Sequence, residues 1–238
     1  MKKNLLSIFV VFALFSSSLF AQSDSSKVNI GADLVSRYVW RGLDFGSSPS
    51  IQPYYEYAHK SGLTLGCWGA MSTLGNYNEV DLYAKYKIKG FSLIATDYFF
   101  PTSSNPSVKS QRFLNFGSTT TGHVVEGTLQ WEGGEKFPLT ILFASYFFGN
   151  DKNSDGLNNY SSYAEVNYTF NCKAGATNLF VGFTPYEGLY GNTMGVVNVG
   201  LSSKKEIKIT DSFSLPVKAS LITNPQTSNI YFVLGLTL

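Results

Sequence analysis

The sequence is short of the residues on which most small catalytic and metal-binding domains depend. Among its 238 residues are two cysteines and two histidines. Cys67 and Cys172 cannot build a disulfide framework, and neither sits in a CxxC pair. A histidine-based metal centre would have to recruit carboxylates, so zinc and haem are poor readings and no metal or cofactor is expected. Charge is scarce too: Asp, Glu, Lys and Arg make up 14% of the chain, against roughly 25% in a typical soluble domain. A formal net charge of +2 with no Lys/Arg cluster excludes nucleic acid as an expected partner. Long hydrophobic runs are also missing. Beyond the N-terminal segment the longest apolar stretch, 139–148, has about ten residues, where a spanning helix needs about 20.

What the chain does have is aromatics, with 19 Phe, 15 Tyr and 3 Trp. Mean hydropathy is nevertheless only −0.01, so apolar and polar positions must be interleaved rather than blocked. The first residues read as an address. Met1-Lys2-Lys3 is followed by an apolar stretch from Leu5 to Phe15 and by small residues ending in Ala21. That pattern is a secretory signal peptide over residues 1–21, with a polar leader over 22–27. No cysteine follows the cleavage point, which disfavours lipoprotein processing. An exported chain with no helical span is either soluble or a β-barrel, and periodicity decides between them.

Period-two alternation recurs along the rest of the chain. In 79–88, Val80, Leu82, Ala84, Tyr86 and Ile88 oppose Glu79, Asp81, Tyr83, Lys85 and Lys87. In 28–41, Val28, Ile30, Ala32, Leu34, Tyr38 and Trp40 oppose Asn29, Asp33, Arg37 and Arg41. Twelve strands are expected, at 28–41, 50–59, 63–72, 79–88, 91–100, 122–132, 138–148, 160–170, 177–184, 193–202, 213–223 and 229–238. Their connections alternate between short turns and longer polar loops, the pattern of an outer-membrane barrel. Aromatics on the apolar face gather near both strand ends. Tyr38, Trp40, Phe99, Phe147, Phe183 and Phe232 lie toward the loops, and Tyr57, Tyr86, Phe91, Trp131, Phe170 and Phe213 toward the turns. Two such rings are what the two interfaces of a bilayer select. The expected fold is therefore all-β: a transmembrane antiparallel up-and-down β-barrel of about 12 strands over 28–238. It would sit in the outer membrane of a diderm (Gram-negative) bacterium, with outer-membrane lipid around it and barrel-assembly machinery to insert it.

Several segments carry a resemblance. Ser36-Arg37-Tyr38-Val39-Trp40-Arg41-Gly42, Ile51-Gln52-Pro53, Gly66-Cys67-Trp68-Gly69 and Asp97-Tyr98-Phe99-Phe100-Pro101 are similar to the TorF-like porin family. That family is also described as a conserved hypothetical group named for its Gly-Cys-Trp motif. Ser161-Ser162-Tyr163-Ala164-Glu165, Leu215-Pro216 and Asn224-Pro225 extend the similarity over essentially the whole exported chain. The resemblance implies an exported outer-membrane barrel with a channel role, and supplies neither substrate nor catalytic residues.

On the polar face, six acids (Asp33, Glu56, Glu79, Asp81, Glu126, Glu165) meet five bases (Arg37, Arg41, Lys85, Lys87, Lys218). These are the candidate pore-lining residues, and their near balance implies passive or gated permeation of small solutes with weak ion selectivity. The alternative is that opposite charges pair across the interior and fill it, leaving a structural or adhesive barrel with binding loops. Three smaller constellations stand beside this. Asp151-Lys152-Asn153-Ser154-Asp155-Gly156 resembles the start of a calcium loop, but position 12 holds Ser162, and a solvated turn accounts for it. A hairpin pairing Trp131 with Leu139 would set His123 opposite Phe147, with Ser145 diagonal to it on the lipid side and Asp97 on the same face. An acid, His and Ser on the outer wall would suit lipid ester hydrolysis, whereas a bulge at 97–100 would turn Asp97 inward. No catalytic residue is assigned, and the chain is not expected to be an enzyme. Cys67 should face outward and Cys172 lie in a turn, too far apart to bond. Pro53 and Pro216, inside expected strands, should mark bulges or misplaced boundaries.

Overall fold

The computed structural model describes residues 26–103, 112–173 and 175–238. The signal-peptide reading of 1–21 lies outside the described residues. Every element is a β-strand: β1 (Lys27–Val35), β2 (Tyr38–Trp40), β3 (Leu43–Phe45), β4 (Ser50–Ala58), β5 (Leu63–Ser72), β6 (Tyr77–Ile88), β7 (Phe91–Ser103), β8 (His123–Glu132), β9 (Leu139–Gly149), β10 (Ser162–Cys172), β11 (Gly175–Thr184), β12 (Gly195–Lys208), β13 (Ser214–Asn224) and β14 (Asn229–Thr237). Twelve of them, all except β2 and β3, close into one antiparallel barrel in which sequence neighbours are spatial neighbours. The barrel closes where β1 meets β14. That seam holds three paired positions, Asp33↔Thr237, Leu34↔Leu236 and Val35↔Gly235, flanked by backbone bonds of Ala32 to Leu238 and Ser36 to Leu234.

The alternation of the sequence becomes the two faces of this wall. Outward positions carry Leu93, Leu129, Phe143, Leu201, Phe232 and their neighbours. Their exposure, 64% for Leu93 and 66% for Phe232, gives the barrel an apolar outer surface. Inward positions carry the charged and hydroxyl residues. Apart from 112–122, which folds over Phe99 and His123, no second layer covers the outer face among the described residues.

The strand plan matches the alternation closely, with β5 at the expected bounds and the other barrel strands after β1 within three residues, except that β12 runs six residues past the expected 202 to Lys208. The principal correction is at β1. It ends at Val35, and the expected continuation to Arg41 instead turns into the barrel as the hairpin β2–β3, with Trp40 paired to Leu43. Arg41 and Gly42 form its two-residue turn, and both have positive φ, 50° and 79°, the geometry of a type I′ turn. Tyr38 and Trp40 accordingly do not belong to an outer aromatic ring. Tyr38 is buried against Trp68 and Tyr77, and Trp40 against Tyr98 and Tyr190.

A second correction concerns register. The turn after β8 is closed by the Gly133 N–H on the Leu139 carbonyl, so Trp131 pairs with Ile141 rather than Leu139. A bulge between Val125 and Glu126 moves the upper ladder further, bringing Asn150 to the His123 carbonyl. The register shifts fall there and at Asn78/Val80 and Gly182/Phe183, not at the prolines. Pro53 sits where the β4–β5 ladder skips two pairs without slipping. Pro216 stands just past the last β14 partner of β13, so its missing N–H need not interrupt that ladder. Cys67 and Cys172 form no disulfide. Cys172 is the last residue of β10, with its sulfur 3.2 Å from the Thr177 hydroxyl.

Candidate functional site

The hairpin crosses the lumen at the end of the barrel that carries the long loops. Its tip docks on the wall at β13 and β12, two and three strands round from β1. The Gly42 carbonyl accepts a bond from Asn224 Nδ2 at 3.3 Å, and a Cβ at Gly42 would collide with the Val197 carbonyl oxygen. Around it the inward side chains of β7, β8, β9, β10 and β12 contribute Tyr98, Val124, Tyr146, Tyr163 and Val197 to one buried cluster, joined by Tyr190 from the loop 185–194. Trp40 and Leu43 of the hairpin pack against it. The lumen at this level is therefore a packed aromatic core. Toward the turn end, inward residues such as Lys87, Thr169, Asn171 and Lys218 are exposed, so the filling is confined to the loop-end half.

At the centre of that core is a buried ion pair. Arg41, at the tip of the hairpin, reaches Glu126 on β8 with two N–H donors, at 2.5 and 3.0 Å. The two side chains are 10% and 1% exposed. Glu126 also accepts from Tyr190 (3.1 Å), Tyr98 (3.2 Å) and Thr128 (2.8 Å), so its lone pairs are saturated by donors. The guanidinium lies 4.3 Å from the Trp40 ring centre, 4.8 Å from Tyr163 and 5.4 Å from Tyr190. Burial holds the Tyr190 phenol above its ordinary range. The hydroxyl thus stays protonated, taking a bond from Arg41 at 2.5 Å while giving one to Glu126. Desolvating two charges is costly, and this pair recovers the cost through bidentate geometry, neutral donors and ring faces.

The other expected lumen residues are distributed differently. Glu79 and Asp81 lie on β6, 4% and 6% exposed, with Glu79 accepting from Tyr77 at 2.8 Å and Asp81 Oδ1 without a partner. Glu56 accepts from Tyr83 at 2.7 Å, and Asp33 from Thr237 across the seam at 2.6 Å. Glu165 is held by Asn167, Asn198 and Tyr163. Lys85 and Lys218 share the inward register of β6 and β13, while Lys87 pairs with Glu132 near the turn end. Arg37 is not on a strand: it lies between β1 and β2 and bonds Asp44 at 3.1 Å. Of the eleven candidates, Arg41 and Glu126 form the one acid–base pair among the described residues. The reading missed the tyrosines that surround them. Tyr98, Tyr146 and Tyr163 were legible as inward by parity, but Tyr190, in the Gly188-Leu189-Tyr190-Gly191 loop, carries no positional signal.

The smaller constellations resolve as follows. His123 Nδ1 lies 2.9 Å from both Asp97 carboxylate oxygens, on the outer wall as parity expected. Its Nε2 meets the Phe113 carbonyl at 2.6 Å, and the ring is stacked between Phe99 and Phe116. The fully buried imidazole thus ties the segment 112–122 to the wall. Ser145 is not its partner. Ser145 pairs with Gly127, four residues from His123 along β8, or about 13 Å at the rise of a strand. Its hydroxyl bonds the Tyr160 carbonyl and Ser162. In the loop 150–161, Asn153 Oδ1 caps the Asp155 and Leu157 N–H groups, and Asp151 holds Ser161, as in an ordinary Asx-rich turn.

The class defined by this geometry is a closed twelve-strand antiparallel barrel with an inward-folded hairpin. Its family is equally plain. The chain belongs to the family described as a bacterial protein of unknown function, Gcw_chp, whose model matches residues 21–193, a span containing β1–β11 and the hairpin. No curated protein matches the chain. A bacterial barrel of this build is consistent with an outer-membrane location.

Proposed function

We propose that the protein is an outer-membrane channel of a diderm bacterium whose lumen is closed by the β2–β3 hairpin. Small solutes pass when the hairpin leaves its seat. The observation that carries this reading is the position of the hairpin, folded across the lumen with Arg41 clasping Glu126 on β8. Membrane residence is supported by the apolar outer face, since aliphatic and aromatic side chains exposed around a barrel wall are stable in lipid and a liability in water. Export through the signal peptide, insertion by the barrel-assembly machinery and outer-membrane lipid as the surrounding partner follow from that residence. A gate is favoured over a permanent plug because the turn-end half of the lumen is lined by exposed polar residues, leaving the obstruction to the loop-end half. Mixed inward charge, with Asp33, Glu56 and Glu165 against Lys85, Lys87 and Lys218, supports weak ion selectivity. The reading assigns no catalytic residue.

Planar-bilayer recording of the refolded protein, with a salt gradient to give the reversal potential, tests this. Wild type should be mostly closed with brief steps, and a variant lacking 38–45 should conduct steadily. Silence from that variant, shown by gel mobility to be folded, would replace the channel by a barrel with a blocked lumen and binding loops.

A further inference from the structure

Above the hairpin, between it and the loops, lies a cavity of about 1020 Å³, at the upper end of the range for small-molecule sites. Its lining divides by chemistry. Trp40, Phe45, Tyr77, Tyr98, Phe100 and Tyr146 supply aromatic rings. The charged groups are Asp44, Glu79, Asp151 and Glu187, against the single ammonium of Lys152.

Some of those charges are already engaged within the protein. Asp151 takes the Ser161 N–H at 2.8 Å and its hydroxyl at 2.6 Å, and Lys152 bonds the Asn158 side chain. The other acids outnumber the cation beside them, three carboxylates to the one Arg37 guanidinium that bonds Asp44. Asp44 uses Oδ2 for Arg37 (3.1 Å) and Ser47 (3.0 Å), while its Oδ1 is buried with no hydrogen-bond partner. Glu79 is buried in the wall, and Glu187 stands exposed on the rim. A buried carboxylate oxygen without a donor, beside ring faces, is a site that favours a positively charged donor. The barrel holds one cation by the same means immediately beneath: Arg41 against Trp40, Tyr163, Tyr190 and Glu126. Trp40 belongs to both places.

We propose that this vestibule binds an organic cation, an ammonium or amidinium group carried on a flat apolar body. The rings pack the body, and Asp44 and Glu187 take the charge. Binding needs only the docked hairpin, which supplies Trp40, Asp44 and Phe45, so silence in a bilayer would leave it untouched.

Calorimetric titration of the full chain, folded in detergent, tests this with benzamidine and its neutral isostere benzamide. Benzamidine should bind one to one and at least about tenfold tighter than benzamide, since shape is shared and only the charge differs. E187Q, on the exposed rim where folding is not at stake, should weaken benzamidine several-fold, and D44N should weaken it further. Equal affinity for the two compounds would overturn the proposal. Benzamidine binding unchanged in both variants, or maltose saturating the site while benzamidine does not bind, would overturn it as well.

Discussion

Replacing Glu126 with Gln isolates the contact on which the closed lumen depends. The substitution keeps the side chain's shape and one acceptor, but removes the charge that faces Arg41. In the folded protein Glu126 is 1% exposed and receives five hydrogen bonds, two of them from the guanidinium at 2.5 and 3.0 Å. Breaking one side of a buried pair costs about 3–5 kcal/mol. The low end applies here, because Arg41 keeps three ring faces and the Tyr190 hydroxyl. Arg41 sits at a hairpin tip that can leave for water, so the loss falls on docking of the hairpin rather than on the barrel. A weakening of about 3 kcal/mol is about a hundredfold shift in the docked-to-undocked ratio. Native-state hydrogen exchange reads this directly. Amides of Trp40 and Leu43 should exchange about a hundredfold faster in Glu126→Gln, while those of the β12–β13 ladder keep their rates. A double-mutant cycle with Arg41→Met should return a coupling of more than about 1 kcal/mol. Unchanged hairpin exchange, or equal acceleration in every strand, would refute the reasoning.

Three further outcomes are expected. Gly42→Ala places a Cβ against the Val197 carbonyl at a φ of 79°, so it should undock the hairpin by more than about 1 kcal/mol and raise open probability. His123→Gln removes one of the two ties to Asp97 and Phe113 and the stacking on Phe99 and Phe116. Proteolysis within 112–122 should quicken with little change in the barrel's thermal transition. Lys87→Ala removes an ion pair whose side chains are 46% and 33% exposed, and the melting midpoint should stay within the shift of about 1 kcal/mol that such pairs contribute.

How much of this was legible can be judged residue by residue. The split of Glu79, Asp81, Lys85 and Lys87 from Val80, Leu82, Tyr86 and Ile88 in β6 appears in the structure as inward and outward faces, because a pleated strand alternates sides whatever surrounds it. Tyr38-Val39-Trp40-Arg41 continues the same alternation, which is why it reads as more of β1. The signal that distinguishes it is local: Arg41-Gly42 between Tyr-Val-Trp and Leu-Asp-Phe has the spacing of a two-residue hairpin. The His123–Asp97 pair followed from parity, while the link to Ser145 failed. A turn that closes one pair further on, and then a bulge, displaced the ladder by several residues.

The sequence by itself determined the wall: an even set of alternating strands of the right length, short turns at one end and long loops at the other, apolar outside and polar inside. Period two decides which way each side chain points, and composition decides which face suits lipid. Neither carries any information about distance across the lumen. That Arg41 meets Glu126, that Tyr190 comes from a distant loop to share their bonds, and that a tryptophan expected at the membrane interface packs instead against the core inside the barrel were decided by closure of the barrel. Closure brings residues 85 and 149 positions apart in the chain within hydrogen-bond reach of Arg41. A contact made through an interior depends on the whole ring of strands, whereas a face depends only on its own.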